Sequence, residues 1–159
     1  MKILLLEDEL MLNNAISEYL KNIGHMVESF CDGQEVLDSI NSSFDLLVLD
    51  INVPTKDGFE ILTELNSRKV YIPTIFISAL IDIEDISKAY NLGCREYIKK
   101  PFHLGELGIK INQILKKEQN NTSHIRFSEN YSYAKDKQTL YFNGEPQNLT
   151  KKQLEIIHI

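Results

Sequence analysis

The sequence predicts an α/β protein with a doubly wound parallel sheet. Over residues 1–117, five short apolar runs alternate with five segments whose apolar residues recur every three or four positions. Alternating strands and helices imply a parallel sheet with helices on both faces. Carboxylate, hydroxyl and amine groups also lie at or just beyond the ends of several runs, and open α/β sheets bind ligands at that carboxyl edge.

The five predicted strands are too short for amphipathic helices, which favours the extended conformation. In order along the chain they are residues 3–6, 26–30, 46–49, 74–78 and 97–98. The second run alternates polar and apolar residues. The others are more uniformly apolar, which is typical of strands covered on both faces.

The helices between these strands are predicted from apolar stripes. The first stripe comprises Leu12, Ala15, Ile16, Tyr19, Leu20 and Ile23. Gly24 follows it at the position where a left-handed residue often ends a helix. Asp32 and Glu35 predict the start of the second helix, as a capping residue and the acid three positions after it. Apolar stripes over residues 59–65 and 104–115 predict the third and fifth helices. The fourth helix is predicted over residues 83–92, before Gly93.

Composition narrows the class of protein. Of 17 Lys and Arg and 23 Asp and Glu, five of each fall in residues 118–159, which leaves 12 basic and 18 acidic residues in 1–117. That balance disfavours a nucleic-acid surface in the first part, because phosphate contacts need clustered basic residues. No apolar run approaches the length of a membrane span, and the N-terminal run is too short for a signal peptide, so we expect a cytoplasmic protein without a membrane partner. Cys31 and Cys94 have neither disulfide-framework nor zinc-site spacing.

Acidic side chains at the strand ends predict a divalent-cation site. Glu7 and Asp8 follow the first run and Asp50 follows the third. Close carboxylates repel one another unless a cation neutralises them, and Mg²⁺ prefers such hard oxygen ligands. We expect Asp8 and Asp50 to bind Mg²⁺ directly, Glu7 to act through water, and the carbonyl of Asn52 to supply a further oxygen.

The same edge has the groups needed to accept a phosphoryl group. An aspartate such as Asp50 can act as a nucleophile toward phosphorus. The ammonium of Lys100, after the fifth run, would offset charge on the transferring oxygens. The hydroxyl of Ser78 would donate a hydrogen bond to the bound phosphoryl group.

Five motifs carry a resemblance to a known family: Glu7-Asp8, Asp50-Ile51-Asn52-Val53-Pro54, Asp57-Gly58, Ser78-Ala79 and Tyr97-Ile98-Lys99-Lys100-Pro101-Phe102. With them, residues 1–117 resemble the phosphoacceptor receiver domains of two-component response regulators. The resemblance implies a flavodoxin-like fold with strand order 2-1-3-4-5, a cis Lys100–Pro101 bond, and transfer from a histidine kinase to Asp50. It implies contact of Lys100 and Ser78 with the phosphoryl group, and Mg²⁺ at Glu7, Asp8, Asp50 and the Asn52 carbonyl.

The resemblance also implies a switch and a dimer. Ser78 would move toward the phosphoryl group and Tyr97 would turn into the vacated space, changing the face formed by helix four, strand five and helix five. Activated OmpR-type receivers form homodimers through charged pairs on this face, for which the suitable residues here are Glu96, Glu106, Lys110 and Lys117. We expect Glu96 and Lys110 to pair across the two-fold axis. Arg95 and Ile86 depart from the family's charge pattern.

The remaining chain is predicted to belong to a second domain. Residues 118–124 are polar and predict a linker, residues 125–127, 131–134 and 139–142 predict strands, and Asn143-Gly144 predicts a two-residue hairpin turn. A capping box at 150–153 predicts a helix. The strings Leu140-Tyr141-Phe142-Asn143-Gly144-Glu145-Pro146 and Leu149-Thr150-Lys151-Lys152-Gln153-Leu154-Glu155 resemble the opening of the winged-helix effector domain of OmpR-type regulators. The resemblance implies that residues 125–159 begin such a domain, truncated before the DNA-contacting elements. We expect promoter DNA to be a partner of a full-length protein and not of this chain.

Other interpretations stay open at this point. Glu7 and Asp8 could be solvated acids at a helix start, and Tyr97 could be a core residue. A phosphatase or phosphotransferase with an aspartyl nucleophile is disfavoured, because Asn52 stands where such enzymes have a second acid; we expect the chain to catalyse only its own phosphorylation and dephosphorylation. The alternatives are a stand-alone or a phosphorylation-independent receiver that acts through protein contacts.

Overall fold

The computed structural model describes residues 1–126, 130–134 and 139–147. The chain divides into two compact units, Met1–Ile111 and Asn112–Ile159. Among the described residues, no helix is both long enough and apolar enough to cross a membrane.

The first unit contains the predicted parallel sheet. Its strands are β1 (Lys2–Leu6), β2 (Met26–Phe30), β3 (Leu46–Asp50), β4 (Thr74–Ser78) and β5 (Glu96–Lys99). The helices are α1 (Leu10–Asn22), α2 (Gly33–Ser39), α3 (Gly58–Ser67), α4 (Ile83–Asn91) and α5 (Leu104–Ser123), the last of which continues into the second unit. The strands are parallel in the order β2-β1-β3-β4-β5, which confirms the predicted α/β fold class and strand order.

The central strands form the core because helices cover both faces of the sheet. Every residue of β3 and β4 is buried, whereas β2, at one edge, is largely exposed. On one face, Phe76 of β4 meets Phe59 of α3 edge to face, with ring centroids 5.3 Å apart. This burial explains why β3 and β4 are continuous apolar runs while β2 alternates.

The helix ends agree with the predicted capping residues. Gly24 and Gly93 follow α1 and α4 with φ values of 98° and 95°, a conformation that glycine adopts without steric cost. Asp32 caps α2 by accepting hydrogen bonds from the N–H groups of Gln34 and Glu35.

The buried face of α1 differs from the predicted one. Asn13, Ile16, Ser17 and Leu20 are buried, while Ala15 is exposed and Ile23 is 42% exposed. The Asn13 amide donates to the carbonyls of Glu7 at 2.8 Å and Phe30 at 3.2 Å, so this polar side chain is satisfied in the interior. Apolar spacing alone does not detect such a residue.

The second unit contains an antiparallel sheet. Its strands, in the order β6-β7-β8-β9, are β6 (His124–Arg126), β7 (Tyr131–Ala134), β8 (Thr139–Phe142) and β9 (Glu145–Gln147). The predicted turn is confirmed, since Phe142 pairs with Glu145 and both Asn143 and Gly144 have positive φ. Strand β9 was not predicted.

Residues 118–123 continue α5, so the predicted linker is largely helical up to the start of β6 at His124. A polar sequence without Pro or Gly is compatible with a solvated helix as well as with a linker, which explains the difference. Phe127 and the helix predicted after Thr150 lie outside the described residues, and the domain boundaries stay predictions.

Candidate functional site

The carboxyl edge of the sheet brings together the strand-end residues singled out in the sequence. Glu7 directly follows β1, Asp50 and Ser78 end β3 and β4, and Lys100 directly follows β5. The parallel arrangement places all four strand ends at one edge. Glu7, Asp50 and Ser78 are buried, while Asp8 is exposed.

Lys100 joins two of the carboxylates. Its Nζ atom lies 2.6 Å from Asp50 Oδ2 and 2.7 Å from Glu7 Oε2. The side chains of Glu7 and Asp50 are only 1% and 5% exposed, and that of Lys100 is 19% exposed. The three groups therefore form a largely buried ionic cluster in which one positive charge faces two negative charges.

Burial and the shared ion pairs shift the pKa values of Glu7 and Lys100. Burial raises the pKa of Glu7, and the shared Lys100 ammonium only partly opposes that effect. Burial acts to lower the pKa of Lys100, but its contacts with Asp50 and Glu7 outweigh that effect and raise it. Lys100 is thus held charged beside the two buried carboxylates.

Backbone groups orient the same side chains. The N–H of Asn52 donates to Asp50 Oδ1 at 3.2 Å, and the N–H of Glu9 donates to Glu7 Oε1 at 3.1 Å. The N–H of Lys100 donates to the carbonyl of Ser78 at 2.8 Å. The Lys100–Pro101 bond is cis, as the resemblance implies.

The acidic residues are suitable ligands for a metal ion. One carboxylate oxygen each from Glu7, Asp8 and Asp50 lies within 4.8 Å of the others. Glu7 Oε2 is buried, and the contact that compensates its charge is the ion pair with the Lys100 ammonium at 2.7 Å. Closely spaced carboxylate oxygens suit a hard divalent cation such as Mg²⁺. Participation of the Asn52 carbonyl stays a prediction.

Ser78 and Tyr97 meet at the loop that follows β4. The Ser78 hydroxyl oxygen accepts a hydrogen bond from the N–H of Leu80 at 3.1 Å. The Tyr97 hydroxyl donates to the carbonyl of the same Leu80 at 2.9 Å, and burial raises the pKa of Tyr97. Sequence reasoning missed Leu80, since its backbone makes these contacts and its side-chain type offers no signal. The switch roles of Ser78 and Tyr97 stay predictions.

The predicted dimer residues show one unexpected contact. Lys110 Nζ lies 3.0 Å from Glu96 Oε2 of the same chain, and this contact raises the pKa of Lys110. The pair expected across a two-fold axis is therefore already formed within one chain, because β5 and α5 bring the two residues together. Glu106 and Lys117 are exposed, and the dimer role of all four residues stays a prediction.

Comparison with known proteins identifies the class of protein. The family model described as "Response regulator receiver domain" matches residues 3–112, and the chain belongs to this family. Similar curated proteins include the transcriptional regulatory protein RprY of Bacteroides fragilis, 32% identical over 99% of this chain and 68% of that protein. Another is CiaR of Streptococcus pneumoniae, 30% identical over 98% of this chain and 70% of that protein.

Solved structures agree with this assignment. The non-phosphorylated HemR receiver domain of Leptospira biflexa superposes with a TM-score of 0.68 and 30% identity, covering 72% of this chain and 93% of that one. DrrB of Thermotoga maritima, described as an OmpR/PhoB homolog, gives a TM-score of 0.66 and 26% identity, covering 98% and 70%. These relatives confirm the resemblance to OmpR-type response regulators.

Proposed function

We propose that this chain accepts a phosphoryl group on Asp50 from the phosphohistidine of a histidine kinase. The observation that carries the proposal is the Lys100 ammonium, which lies 2.6 Å from Asp50 Oδ2 and 2.7 Å from Glu7 Oε2. This contact puts a fixed positive charge beside a buried carboxylate at the edge of the sheet. An electrophilic phosphoryl group needs such a nucleophile and such charge compensation.

The proposed reaction uses this chain's own residues in distinct roles. An Asp50 carboxylate oxygen attacks phosphorus, the P–N bond of the donor breaks, and the donor nitrogen keeps the electron pair. Lys100 offsets negative charge on the transferring oxygens, and the Ser78 hydroxyl donates a hydrogen bond to the bound group. The Asn52 N–H, 3.2 Å from Asp50 Oδ1, orients the acceptor.

A metal ion completes the proposed site. Glu7, Asp8, Asp50 and the Asn52 carbonyl would hold Mg²⁺, which when bound supplies positive charge against the phosphoryl oxygens. The three clustered carboxylates of Glu7, Asp8 and Asp50 support this ligand set.

Phosphorylation is proposed to control a protein surface. Movement of Ser78 and Tyr97 would alter their shared contacts with Leu80 and so reshape the α4–β5–α5 face. We propose that this face forms a homodimer on activation, with Glu96, Glu106, Lys110 and Lys117 at the contact. The chain would act in the cytoplasm and turn over no separate metabolite.

The proposed output is transcription control. Residues 1–117 would form the receiver, 118–124 the connection, and 125–159 the start of a winged-helix domain. The similarity to RprY and CiaR, which are named transcriptional regulatory proteins, supports this output. Promoter DNA would be the partner of the winged-helix domain.

The test is intact mass after incubation with acetyl phosphate and Mg²⁺. We expect the unaltered chain to gain one phosphoryl group and Asp50→Asn to gain none. Lys100→Ala should bind Mg²⁺ yet gain the group much more slowly, because charge compensation is lost. Asp45→Asn is the matched control, since Asp45 is an exposed acid just before the other end of β3.

Two results would contradict the proposal. Phosphorylation of Asp50→Asn to the same extent as the unaltered chain would place the acceptor elsewhere. Failure of the unaltered chain to take up either phosphoryl groups or beryllofluoride in the presence of Mg²⁺ would remove the phospho-switch altogether.

A further inference from the structure

The loop after Asp50 contains an unfavourable backbone conformation. Residues 51–57, here called the acceptor loop, connect β3 to α3. Within it, Thr55 has a φ of 65°. Left-handed conformations are costly for β-branched residues, so other contacts must maintain this one.

The β2–α2 turn supplies those contacts. It is defined here as residues 30–34, which include the last residue of β2 and the first two residues of α2. Thr55 Oγ1 donates to Asp32 Oδ1 at 2.7 Å and accepts from the N–H of Gln34 at 3.1 Å. The hydrogen bond from Thr55 is the main reason that the pKa of Asp32 is lowered. The Thr55 side chain thus connects the acceptor loop to the cap of a different helix.

Backbone contacts strengthen the same connection. The N–H of Gly33 donates to the carbonyl of Pro54 at 3.2 Å. A Cβ atom at Gly33 would overlap the carbonyl oxygen of Lys56. Since that neighbour is a backbone atom, the two segments can approach this closely only because residue 33 is glycine.

The same turn also holds the segment that carries the first two acids. The carbonyl of Phe30 accepts from the N–H of Glu7 at 3.1 Å and from the Asn13 amide at 3.2 Å. The Asn13 amide also donates to the Glu7 carbonyl at 2.8 Å. The β2–α2 turn therefore contacts the backbone next to Glu7 and Asp8 on one side and the acceptor loop on the other.

We propose that the β2–α2 turn is a positioning element that sets the spacing between Glu7–Asp8 and Asp50–Asn52. The Thr55–Asp32 hydrogen bond is the side-chain contact through which it holds the acceptor loop. Neither residue touches the reacting atoms, so both act through the placement of the metal and phosphoryl ligands. The inference rests on the proposed function and adds residues that control the affinity of its site.

The test measures Mg²⁺ affinity directly, without a phosphodonor. Backbone amide chemical shifts of the whole chain, followed during a Mg²⁺ titration, give a Kd for each variant. Thr55→Val removes the hydroxyl with both of its hydrogen bonds and keeps β-branching, so we expect its Kd to rise at least about fivefold, the equivalent of one typical hydrogen bond. Thr55→Ser keeps the hydroxyl and should bind Mg²⁺ like the unaltered chain.

Three further comparisons separate positioning from a general loss of stability. Thr63→Val makes the same chemical change on α3, where the hydroxyl donates only to the Phe59 carbonyl at 2.7 Å, and should leave the Kd unchanged. Thr55→Gly removes the hydroxyl while relieving the left-handed strain, so it carries the test if the valine variant does not fold. In an Asp32→Ala background, Thr55→Val should raise the Kd by less than it does alone, because the bond to Asp32 is already absent and only the bond from the N–H of Gln34 remains to be lost.

The possible outcomes have distinct meanings. Equal Mg²⁺ affinity in the unaltered chain and in Thr55→Val or Thr55→Gly overturns the inference and leaves phosphorylation of Asp50 intact. Additive effects of Asp32→Ala and Thr55→Val overturn it as well. A chain that binds no Mg²⁺ in its unaltered form refutes the proposed metal site, and this inference with it.

Discussion

Helices α3 and α4 follow the two strands that carry Asp50 and Ser78, yet they are held very differently. Helix α3 buries Gly58, Phe59, Ile61, Leu62 and Leu65, whereas α4 buries only Ala89. Ile83 and Tyr90 of α4 are 80% and 49% exposed. Burial of apolar area is the main stabilising contribution in folding. Helix α3 therefore gains more stabilisation from its packing on the core than α4 does.

The N-terminus of α3 is also better capped than that of α4. Asp57 and Glu60 form a reciprocal capping box at the start of α3. Asp82 precedes α4 without a side-chain capping bond. The helix after the proposed acceptor is therefore firmly fixed, while the helix after Ser78 is attached by few contacts. Segments that move in switches come from the less stable parts of a fold, which supports a switch that changes α4 and leaves α3 in place.

The largest expected effect is on the alkylation rate of Cys94, a residue with a buried thiol just after α4. Burial raises the pKa of Cys94 to about 12. At neutral pH its thiolate fraction is then about a thousandfold below that of an ordinary cysteine. In a Cys31→Ser background we expect iodoacetamide to label Cys94 correspondingly slowly, measured by intact mass.

The urea dependence of that labelling tests the comparison itself. Local opening of α4 exposes little surface, so the labelling rate should change little at low urea concentrations. A rate that rises with the slope of global unfolding would show that α4 is as firmly held as α3.

The next effect is a contrast between two substitutions of an apolar residue by alanine, one on each helix. Leu65→Ala on α3 removes a fully buried side chain and should lower the free energy of unfolding by about 3 kcal/mol. Ile83→Ala on α4 should change it by less than about 0.5 kcal/mol, because the side chain is already in solvent. Urea denaturation of both variants measures the difference, and equal losses would contradict the comparison.

The smallest effect concerns the helix starts. Asp57→Ala removes a side-chain cap and should cost about 1 kcal/mol. Asp82→Ala removes only a charge near the helix dipole and should cost a few tenths of a kcal/mol, roughly. Thermal unfolding at constant pH compares the two, and a larger loss for Asp82→Ala would reverse the assignment of the better-capped helix.

The α3 capping box also has a pH signature. The N–H of Asp57 donates to Glu60 and lowers the pKa of that carboxyl below its ordinary value of 4.5. The contribution of the Glu60 carboxylate to stability is therefore present above about pH 4.5. It is lost as the pH falls through the lower pKa that Glu60 has in the folded state. An NMR titration of Glu60 with a midpoint at or above 4.5 would show that this bond is absent in solution.

Local patterns predicted most of the elements and the edge of the sheet where the site lies. Uniform apolar runs identified β3 and β4, and the groups at strand ends identified Glu7, Asp50, Ser78 and Lys100, because parallel strands bring their carboxyl ends together. The strand order came from the family resemblance, since periodicity contains no information about which strands are neighbours.

What the sequence did not predict depends on contacts between distant polar groups. Asn13 is buried because two backbone carbonyls satisfy its amide, and Thr55 is held by an aspartate 23 positions away. Glu96 and Lys110 pair within one chain because a strand and a helix happen to place them 3.0 Å apart. Such contacts leave no periodic trace, so they became visible only in three dimensions.

The close approach of backbone segments around the site has a consequence for the tolerance of this chain to substitution. A Cβ atom at Gly58 would lie 2.6 Å from the Asp50 carbonyl oxygen, and one at Gly33 would overlap the Lys56 carbonyl oxygen. Neither obstacle can rotate away as a side-chain end could. In a library of all single variants, positions 33 and 58 should accept almost no other amino acid, although neither glycine takes part in the chemistry.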